Sequence, residues 1–224
     1  MYKKIIFLMA ASIILVPSIH AFSLRLNVPV AGSYEVDDCS GCSPKSGGYS
    51  IRGIFGMFGL GYTVGTFDYG YPSTSDDTDA KLAANAVDLS ASFGFFTIGV
   101  GSVISGTIEG KYGYTNTETD VPAPGYSRTN TWVLDTKREL DGSMTGTTSF
   151  INFNFGIGPI DLLVGYRMWN TKFKHKLVGT RKYTQTITPD IGFNSSTTES
   201  VNQSGDETKK VDFNQITVGI GFGF

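Results

Sequence analysis

The sequence has 224 residues, of which 40% are hydrophobic, 13% aromatic and 17% charged, with 28 glycines and two cysteines. Lysine and arginine number 18 against 20 acidic residues, and this balance argues against nucleic-acid binding, which rewards a basic face. A chain this rich in Gly, Phe and Tyr has the composition typical of β-barrels.

The amino terminus is predicted to be a secretory signal peptide. Lys3 and Lys4 precede an apolar run over residues 5–16, and the small residue Ala21 closes the segment. The run is shorter than the roughly 20 residues that a membrane-spanning helix needs. We therefore expect cleavage between Ala21 and Phe22, leaving residues 22–224 as one domain and moving the net charge from −2 to −4. A retained anchor helix is the alternative.

Short segments follow in which every second residue is apolar, the period of a β-strand. The first is 23–30, which carries Leu24, Leu26, Val28 and Val30 on one face. Residues 49–68 exceed the 9–11 residues or so of one transmembrane strand, so we divide them into two strands with a tight turn near 55–59. Segments 87–93 and 98–114 form the next pair.

Residues 151–157 and 162–168 are the clearest hairpin, joined by a turn at Gly158-Pro159. The final segment, from Ile216, places large apolar residues at even positions and Thr or Gly at odd ones. In a membrane barrel the large face would meet lipid, and the small face would line a crowded interior.

The prediction is therefore eight strands, with long and tight connections in alternation. The long connections lie near 31–48, 69–84, 113–146 and 174–210, and the tight ones near 56–58, 94–97 and 157–160. In the third long region, residues 132–134 are interpreted as strand prolonged above the membrane, with Asp141-Gly142 as a hairpin tip.

In these features the chain resembles small bacterial outer-membrane β-barrel proteins, whose closing strand ends in an aromatic residue that looks like the assembly signal. Phe222 and Phe224 stand in that place here. The resemblance implies an all-β, single eight-stranded antiparallel up-and-down transmembrane barrel, with four long outer loops and short periplasmic turns. A ten-stranded barrel, with 127–140 as a separate strand, is the rival count. A soluble β-sandwich is the alternative to a membrane protein.

Charged residues at inward positions are expected to form an ion-pair network that fills the narrow interior, because charges buried there must pair. The predicted members are Arg25, Asp88, Glu109, Asp161 and Arg167. A polar conduction path through the same residues is the alternative.

Cys39 and Cys42 form a C-x-x-C motif in the first long loop. Behind a signal peptide the compartment is oxidising, so a structural disulfide is expected. A catalytic dithiol is the alternative, and the sequence around the motif lacks a histidine to complete a zinc site.

His175 stands between Lys174 and Lys176 near the outer rim. Some eight-stranded barrels are lipid A-modifying enzymes that use a His with a Ser and an acidic residue, but the lipid A deacylases have a Ser two residues after the His, where this chain has Leu177. The two lysines favour a basic collar that meets lipopolysaccharide phosphates.

Aromatic residues next to the long loops are expected to form a girdle at the membrane boundary. They are Phe67, Tyr69, Tyr71, Tyr112, Tyr114, Trp169 and Phe173.

The resemblance as a whole implies an exported protein of the bacterial outer membrane. Its expected partners are outer-membrane lipid, lipopolysaccharide and the barrel assembly machinery acting on the closing strand. We expect a monomer with no cofactor or metal, acting without catalysis in envelope structure or in surface interaction through its loops. The alternatives are a narrow conduit for small or hydrophobic molecules, and a lipid A-modifying enzyme that uses His175.

Overall fold

The structure is a computed structural model that describes residues 22–34, 45–68, 77–189, 195–204 and 208–224. The elements in these ranges are β-strands, and no helix there is long and apolar enough to cross a membrane. The strands are Phe22–Tyr34 (β1), Lys45–Phe55 (β2), Phe58–Asp68 (β3), Asp77–Ser92 (β4), Phe96–Ala123 (β5), Tyr126–Leu140 (β6), Thr145–Ile157 (β7), Ile160–Phe173 (β8), His175–Thr188 (β9), Ser195–Ser204 (β10) and Lys209–Gly223 (β11). The signal segment with Ala21, together with Cys39 and Cys42, lies outside the described residues.

Eight strands close into an antiparallel barrel in the order β1-β2-β3-β4-β5-β7-β8-β11. Closure occurs because β1 pairs with β2 on one side and with β11 on the other. The tight turns lie at 56–57, 93–95 and 158–159, where the sequence predicted them. Gly56 and Gly158 adopt φ values of 59° and 66° in these turns, a backbone region that favours glycine. The predicted eight-stranded up-and-down barrel is confirmed.

Three further strands extend the barrel wall at the end opposite the tight turns. Beyond residue 110, β5 pairs with β6, β6 pairs with β9, and β9 pairs with β10, which gives a four-stranded sheet called here the extension. Two of the predicted long loops, 113–146 and 174–210, are therefore largely strand. Both faces of this sheet are largely polar and rich in Thr, so the regular alternation of apolar residues that reveals a strand is missing there.

The predicted hairpin tip at Asp141-Gly142 is wrong. The β5–β6 hairpin turns at Pro124-Gly125, and residues 141–144 instead connect β6 to β7. Residues 127–140 do form a separate strand, but it pairs within the extension and not in the barrel, so the ten-stranded count is also wrong.

Every barrel strand carries exposed, large apolar side chains on its outer face. They include Leu24, Leu26, Val28, Ile51, Leu60, Tyr62, Val87, Leu89, Ile98, Val100, Phe153, Phe155, Leu162, Val164, Tyr166, Met168, Ile216, Val218, Ile220 and Phe222. A continuous apolar belt of this size around a whole molecule is the lipid-facing surface of a membrane barrel. The soluble sandwich, in which such faces would be covered, is excluded.

The interior has two zones. Near the tight turns the buried side chains are polar, and they include Ser23, Arg25, Asn27, Ser50, Arg52, Thr63, Asp88, Ser90, Thr97, Asn152, Asn154, Asp161 and Arg167. Near the extension they form an apolar cluster of Phe67, Leu82, Ala84, Ala86, Val103, Ile108, Met144, Trp169, Phe173, Val211 and Phe213.

Candidate functional site

The polar zone is built on one row of paired positions that runs around the barrel from strand to strand. Arg25 in β1 lies directly opposite Arg52 in β2. The row continues from Arg52 through Gly61 to Asp88, and from Arg25 through Gly221 to Asp161. Side chains of both charges therefore project into the same level of the interior.

Asp88 is the centre of the larger ion-pair group and is fully buried. The Arg52 guanidinium donates to Asp88 Oδ1 at 2.5 Å, and Arg167 and Thr63 donate to Oδ2 at 3.3 and 2.8 Å. The Phe150 ring lies beneath both guanidinium groups, 3.8 Å from Arg52 and 4.5 Å from Arg167. Cation–π contacts of this kind are strongest where water is excluded, and they hold the two arginines against the barrel wall.

Arg25 belongs to a second group near the tight turns. Its Nη1 donates to Thr97 Oγ1 at 2.6 Å and to Asn154 Oδ1 at 3.1 Å. Its Nη2 lies 3.4 Å from Asp161 Oδ2, and both side chains are buried. The two groups together form a buried network of hydrogen-bonded charges, the arrangement in which such groups are tolerated in an interior.

Glycines leave the space that these side chains occupy. A Cβ atom on Gly61 would lie 2.4 Å from Asp88 Oδ1, and one on Gly221 would lie 3.1 Å from Arg25 Cγ. The small face of the closing strand thus has a specific cause, because the polar residues of neighbouring strands fill the volume that its side chains vacate.

Four of the five charged residues predicted to be inward, Arg25, Asp88, Asp161 and Arg167, are buried in this network. Glu109 is not, because its side chain is exposed on the outer face. The register of β4 and β5 shifts between Asn85 and Ala86, where β5 has an extra residue, and this bulge reverses which side chains of β5 point inward. Ile108 takes the inward position.

Arg52 was missed at the sequence level, although it is the most buried of the arginines. The signal was present, because Ser50 and Arg52 alternate with the apolar Tyr49 and Ile51. The apolar Ile54, which shares the inward face with Ser50 and Arg52, concealed that alternation.

The apolar cluster closes the other half of the barrel. The rings of Trp169 and Phe213 stack with centroids 5.4 Å apart, and Phe67 packs on Phe213 at 5.5 Å. Trp169 Nε1 donates to Gln215 Oε1 at 2.8 Å, and Gln215 Nε2 donates to Ser46 Oγ at 2.7 Å. Because the rings stack closely and the indole N–H of Trp169 is hydrogen-bonded, these side chains form a well-packed barrier across the interior.

The predicted aromatic girdle is therefore wrong for Phe67, Trp169 and Phe173, which are inside the barrel. These residues occupy the inward positions of β3 and β8, so their nearness to strand ends did not indicate their face. Tyr114 is exposed and Tyr112 partly exposed, while Tyr69 and Tyr71 lie outside the described residues.

The outer surface becomes charged immediately beyond the apolar belt. Lys172 and Lys210 face outward directly opposite each other on β8 and β11. Neither belongs to a salt bridge with another residue in the described part of the chain. On the next pair toward the belt, Asn170 Nδ2 donates to Asp212 Oδ1 at 2.6 Å.

His175 is the first residue of β9 and is partly buried at the base of the extension. Its Nε2 lies 3.4 Å from Arg138 Nη1, within hydrogen-bonding distance of this cationic neighbour. No group of three or more metal-binding side chains occurs among the described residues.

Polar pairs connect the strands of the extension. Arg128 donates to both oxygens of Asp120 across the β5–β6 hairpin, and this hydrogen bonding holds the pKa of the Asp120 carboxyl below its usual range. On the β6–β9 side, Trp132 packs on Tyr183, whose hydroxyl donates to Asn130 Oδ1 at 2.9 Å.

Phe222 and Phe224 are exposed at the end of the closing strand. Phe224 N donates to Phe22 O at 2.9 Å, and the two rings stack with centroids 6.2 Å apart. The role of these residues as an assembly signal stays a prediction.

The sequence matches no protein-family model and no curated protein. Among solved structures it is similar to the outer membrane protease OmpT from Escherichia coli, with 13% identity over 92% of this chain and 94% of that chain. The TM-score of 0.19 is too low for this similarity to bear on function. The closed barrel, the apolar belt and the polar interior are those of a small outer-membrane β-barrel protein.

Proposed function

We propose that this protein is a non-enzymatic component of the bacterial outer membrane that presents its extension for interaction at the cell surface. The observation that carries the proposal is the continuity of the extension with the barrel wall. Only Lys174 separates β8 from β9, and Asp141 N donates to Lys174 O at 2.9 Å across the junction. A sheet fixed in this way presents a defined surface, as a recognition element requires.

A conduit is less well supported, because its path would have to cross the apolar cluster. Trp169 and Phe213 are 2% and 0% exposed, and they stack across the interior beside Phe67. Eight-stranded barrels have interiors just wide enough to be filled by side chains, and here the apolar cluster occupies the part of the interior nearer the extension. Catalysis at His175 is also less well supported, because Arg138 Nη1 lies 3.4 Å from His175 Nε2, and a donor at that nitrogen occupies the lone pair that a general base needs.

The proposed lipid partner is lipopolysaccharide, whose phosphates would lie at the level of Lys172 and Lys210. Like charges directly opposite each other on neighbouring strands destabilise a sheet unless an anion lies between them. These two lysines flank the end of the apolar belt at Met168, where lipid headgroups begin. In this proposal the protein is a monomer, assembled through its closing strand by the barrel assembly machinery.

Shortening both hairpins of the extension tests the proposed surface role. Because Thr115 pairs with Val133 and Thr180 pairs with Ser200, residues 116–132 and 181–199 can each be replaced by Asn-Gly, which forms a two-residue hairpin turn. We expect a folded barrel that still migrates faster on SDS gels before boiling than after. Binding of intact cells to host matrix, to other cells or to phage should fall to the level of a deletion strain.

The control keeps the extension and disrupts only the outer rim, by changing Lys172 and Lys210 to Gln. This variant should retain surface binding while retaining less lipopolysaccharide through purification. If the shortened barrel behaves like wild type in every surface assay, the extension is not the functional element and the proposal fails.

A further inference from the structure

The charges in the polar zone do not balance. Among the described residues, the buried charged side chains are Arg25, Arg52, Arg167, Asp88 and Asp161. Three cations therefore face two carboxylates, and each of these five residues is at most 5% exposed. An uncompensated charge inside a barrel surrounded by lipid is costly, and it demands a partner of opposite sign.

Unpartnered hydrogen-bonding atoms show where that partner would lie. Arg25 Nε and Arg52 Nη1 have no hydrogen-bond partner, although both residues use their other nitrogens in the network. These two arginines are directly opposite each other on β1 and β2, an arrangement in which their like charges repel.

The next inward-facing pair on β1 and β2, two residues away, also carries polar atoms without hydrogen-bond partners. Asn27 lies opposite Ser50, and neither the side-chain amide of Asn27 nor the hydroxyl of Ser50 has a partner. Both residues are almost fully buried, at 3% and 4% exposure. The β1–β2 wall thus presents two guanidinium N–H groups, an amide N–H and a hydroxyl to one region of the interior.

We propose that this region binds a small monovalent anion, with chloride as the physiological candidate, between Arg25 and Arg52. One negative charge restores neutrality, and the anion accepts hydrogen bonds from donors that are otherwise unsatisfied. A divalent anion would leave one surplus negative charge beside three arginines and two aspartates, so the charge balance favours a monovalent one. The anion would screen the repulsion between the two arginines and stabilise the β1–β2 pair.

Bromide is the direct probe, since it replaces chloride and scatters anomalously. Crystals of the full-length mature barrel grown in bromide should contain an anomalous peak in contact with Arg25 Nε and Arg52 Nη1. Well-ordered crystals with no peak in that region would overturn the proposal, and would mean that water alone satisfies these donors.

Thermal unfolding supplies a second, independent measurement. At constant ionic strength, gluconate is replaced with chloride at a concentration about ten times the Kd of the proposed site. Chloride should then raise the Tm by about 3–6 °C. Asn27→Asp places a carboxylate of the same shape beside the arginines, so the variant should fold in gluconate and lose the chloride effect. Asn116→Asp makes the same chemical change on the exposed extension and should retain it. A wild-type Tm that is equal in chloride and gluconate would contradict the proposal.

Discussion

At the scale of single residues, Asp88 holds the most consequential position, because two arginines and a threonine depend on its carboxylate. Its inward orientation was predictable, since it alternates with Val87 and Leu89, which face outward. Its partner Arg52 was predictable in principle by the same alternation. Glu109 was not, because a bulge leaves no mark on the sequence that the alternation of apolar residues can reveal.

Replacing Asp88 with Asn should destabilise the barrel by about 3–5 kcal/mol, because it leaves two buried guanidinium groups without a carboxylate. Urea unfolding in lipid vesicles, followed by tryptophan fluorescence, measures the change. Asp212→Asn is the matched control, since it alters an exposed carboxylate on the outer face and should cost less than about 1 kcal/mol. Equal effects of the two substitutions would show that the interior network does not hold the strands together.

Gly65 provides a second test at this scale, because a Cβ atom there would lie 2.6 Å from the Trp169 ring. The ring is buried and stacked on Phe213, so it cannot withdraw. Gly65→Ala should therefore destabilise the fold by about 1–3 kcal/mol, as overpacking does.

Gly53→Ala is the control for this substitution. A Cβ atom at Gly53 would meet its nearest neighbour at 3.4 Å, an ordinary contact with Phe55. Both variants are measured by urea unfolding in the same vesicles. A Gly65 variant as stable as the Gly53 variant would show that the apolar cluster is loosely packed.

At the scale of elements, the strands of the extension are the part of the fold that the sequence predicted least well. The barrel strands can be recognised in the sequence by their alternation. Lipid favours apolar residues on one face, and the narrow interior favours small or polar residues on the other. Strands β6, β9 and β10 are largely polar on both faces, and their Thr, Ser and Asn residues resemble those of a loop. In β6 the residues 132–134 did indicate a strand, and the turn signal of Asp141-Gly142 misplaced the hairpin tip, whereas β9 and β10 offered only their β-branched content.

The Asp120–Arg128 pair makes the hairpin of the extension sensitive to acid. The pKa of Asp120 is lowered in the folded hairpin, so the pair stabilises it above the ordinary aspartate pKa of about 3.9. That contribution is lost as the pH falls through the lowered value. Carboxyl NMR titration should show Asp120 protonating at lower pH than an ordinary aspartate.

Arg128→Gln removes the donor and should return Asp120 to ordinary titration, without changing the barrel. Because the pair is exposed, the effect should be confined to the hairpin and weaken at high salt. A titration midpoint that is identical in wild type and Arg128→Gln would contradict this assignment.

At the scale of the whole molecule, the barrel class was accessible from the sequence, but the division of its interior was not. Alternation tells which residues point inward, while the stacking of Trp169 on Phe213 depends on strand stagger, which brings the end of β8 beside the beginning of β11. Polar and apolar zones at different depths therefore appeared only when the register was known. This is also why three aromatic residues were assigned to the wrong side of the wall.

The closed interior predicts that the intact protein does not conduct ions. In planar bilayers we expect no steady channel openings. An ion would have to pass both the hydrogen-bonded arginines and the stacked rings of Trp169 and Phe213, which block the barrel axis one after the other. A large porin reconstituted in the same way serves as the positive control. Reproducible single-channel steps from the purified protein would require the apolar cluster to move, and would revive the conduit interpretation.

With the extension on the outer side of the membrane, as proposed, the continuity of β8 with β9 has a geometric consequence for whatever approaches the cell. A strand of 14 residues such as β9, tilted like the barrel wall, carries its far end on the order of 35 Å beyond the rim. That end is held at a set height and angle, since a single residue separates it from the wall. Large bodies such as antibodies or other cells would therefore touch the hairpin ends first, while Lys172 and Lys210 at the base of the extension would contact only lipid.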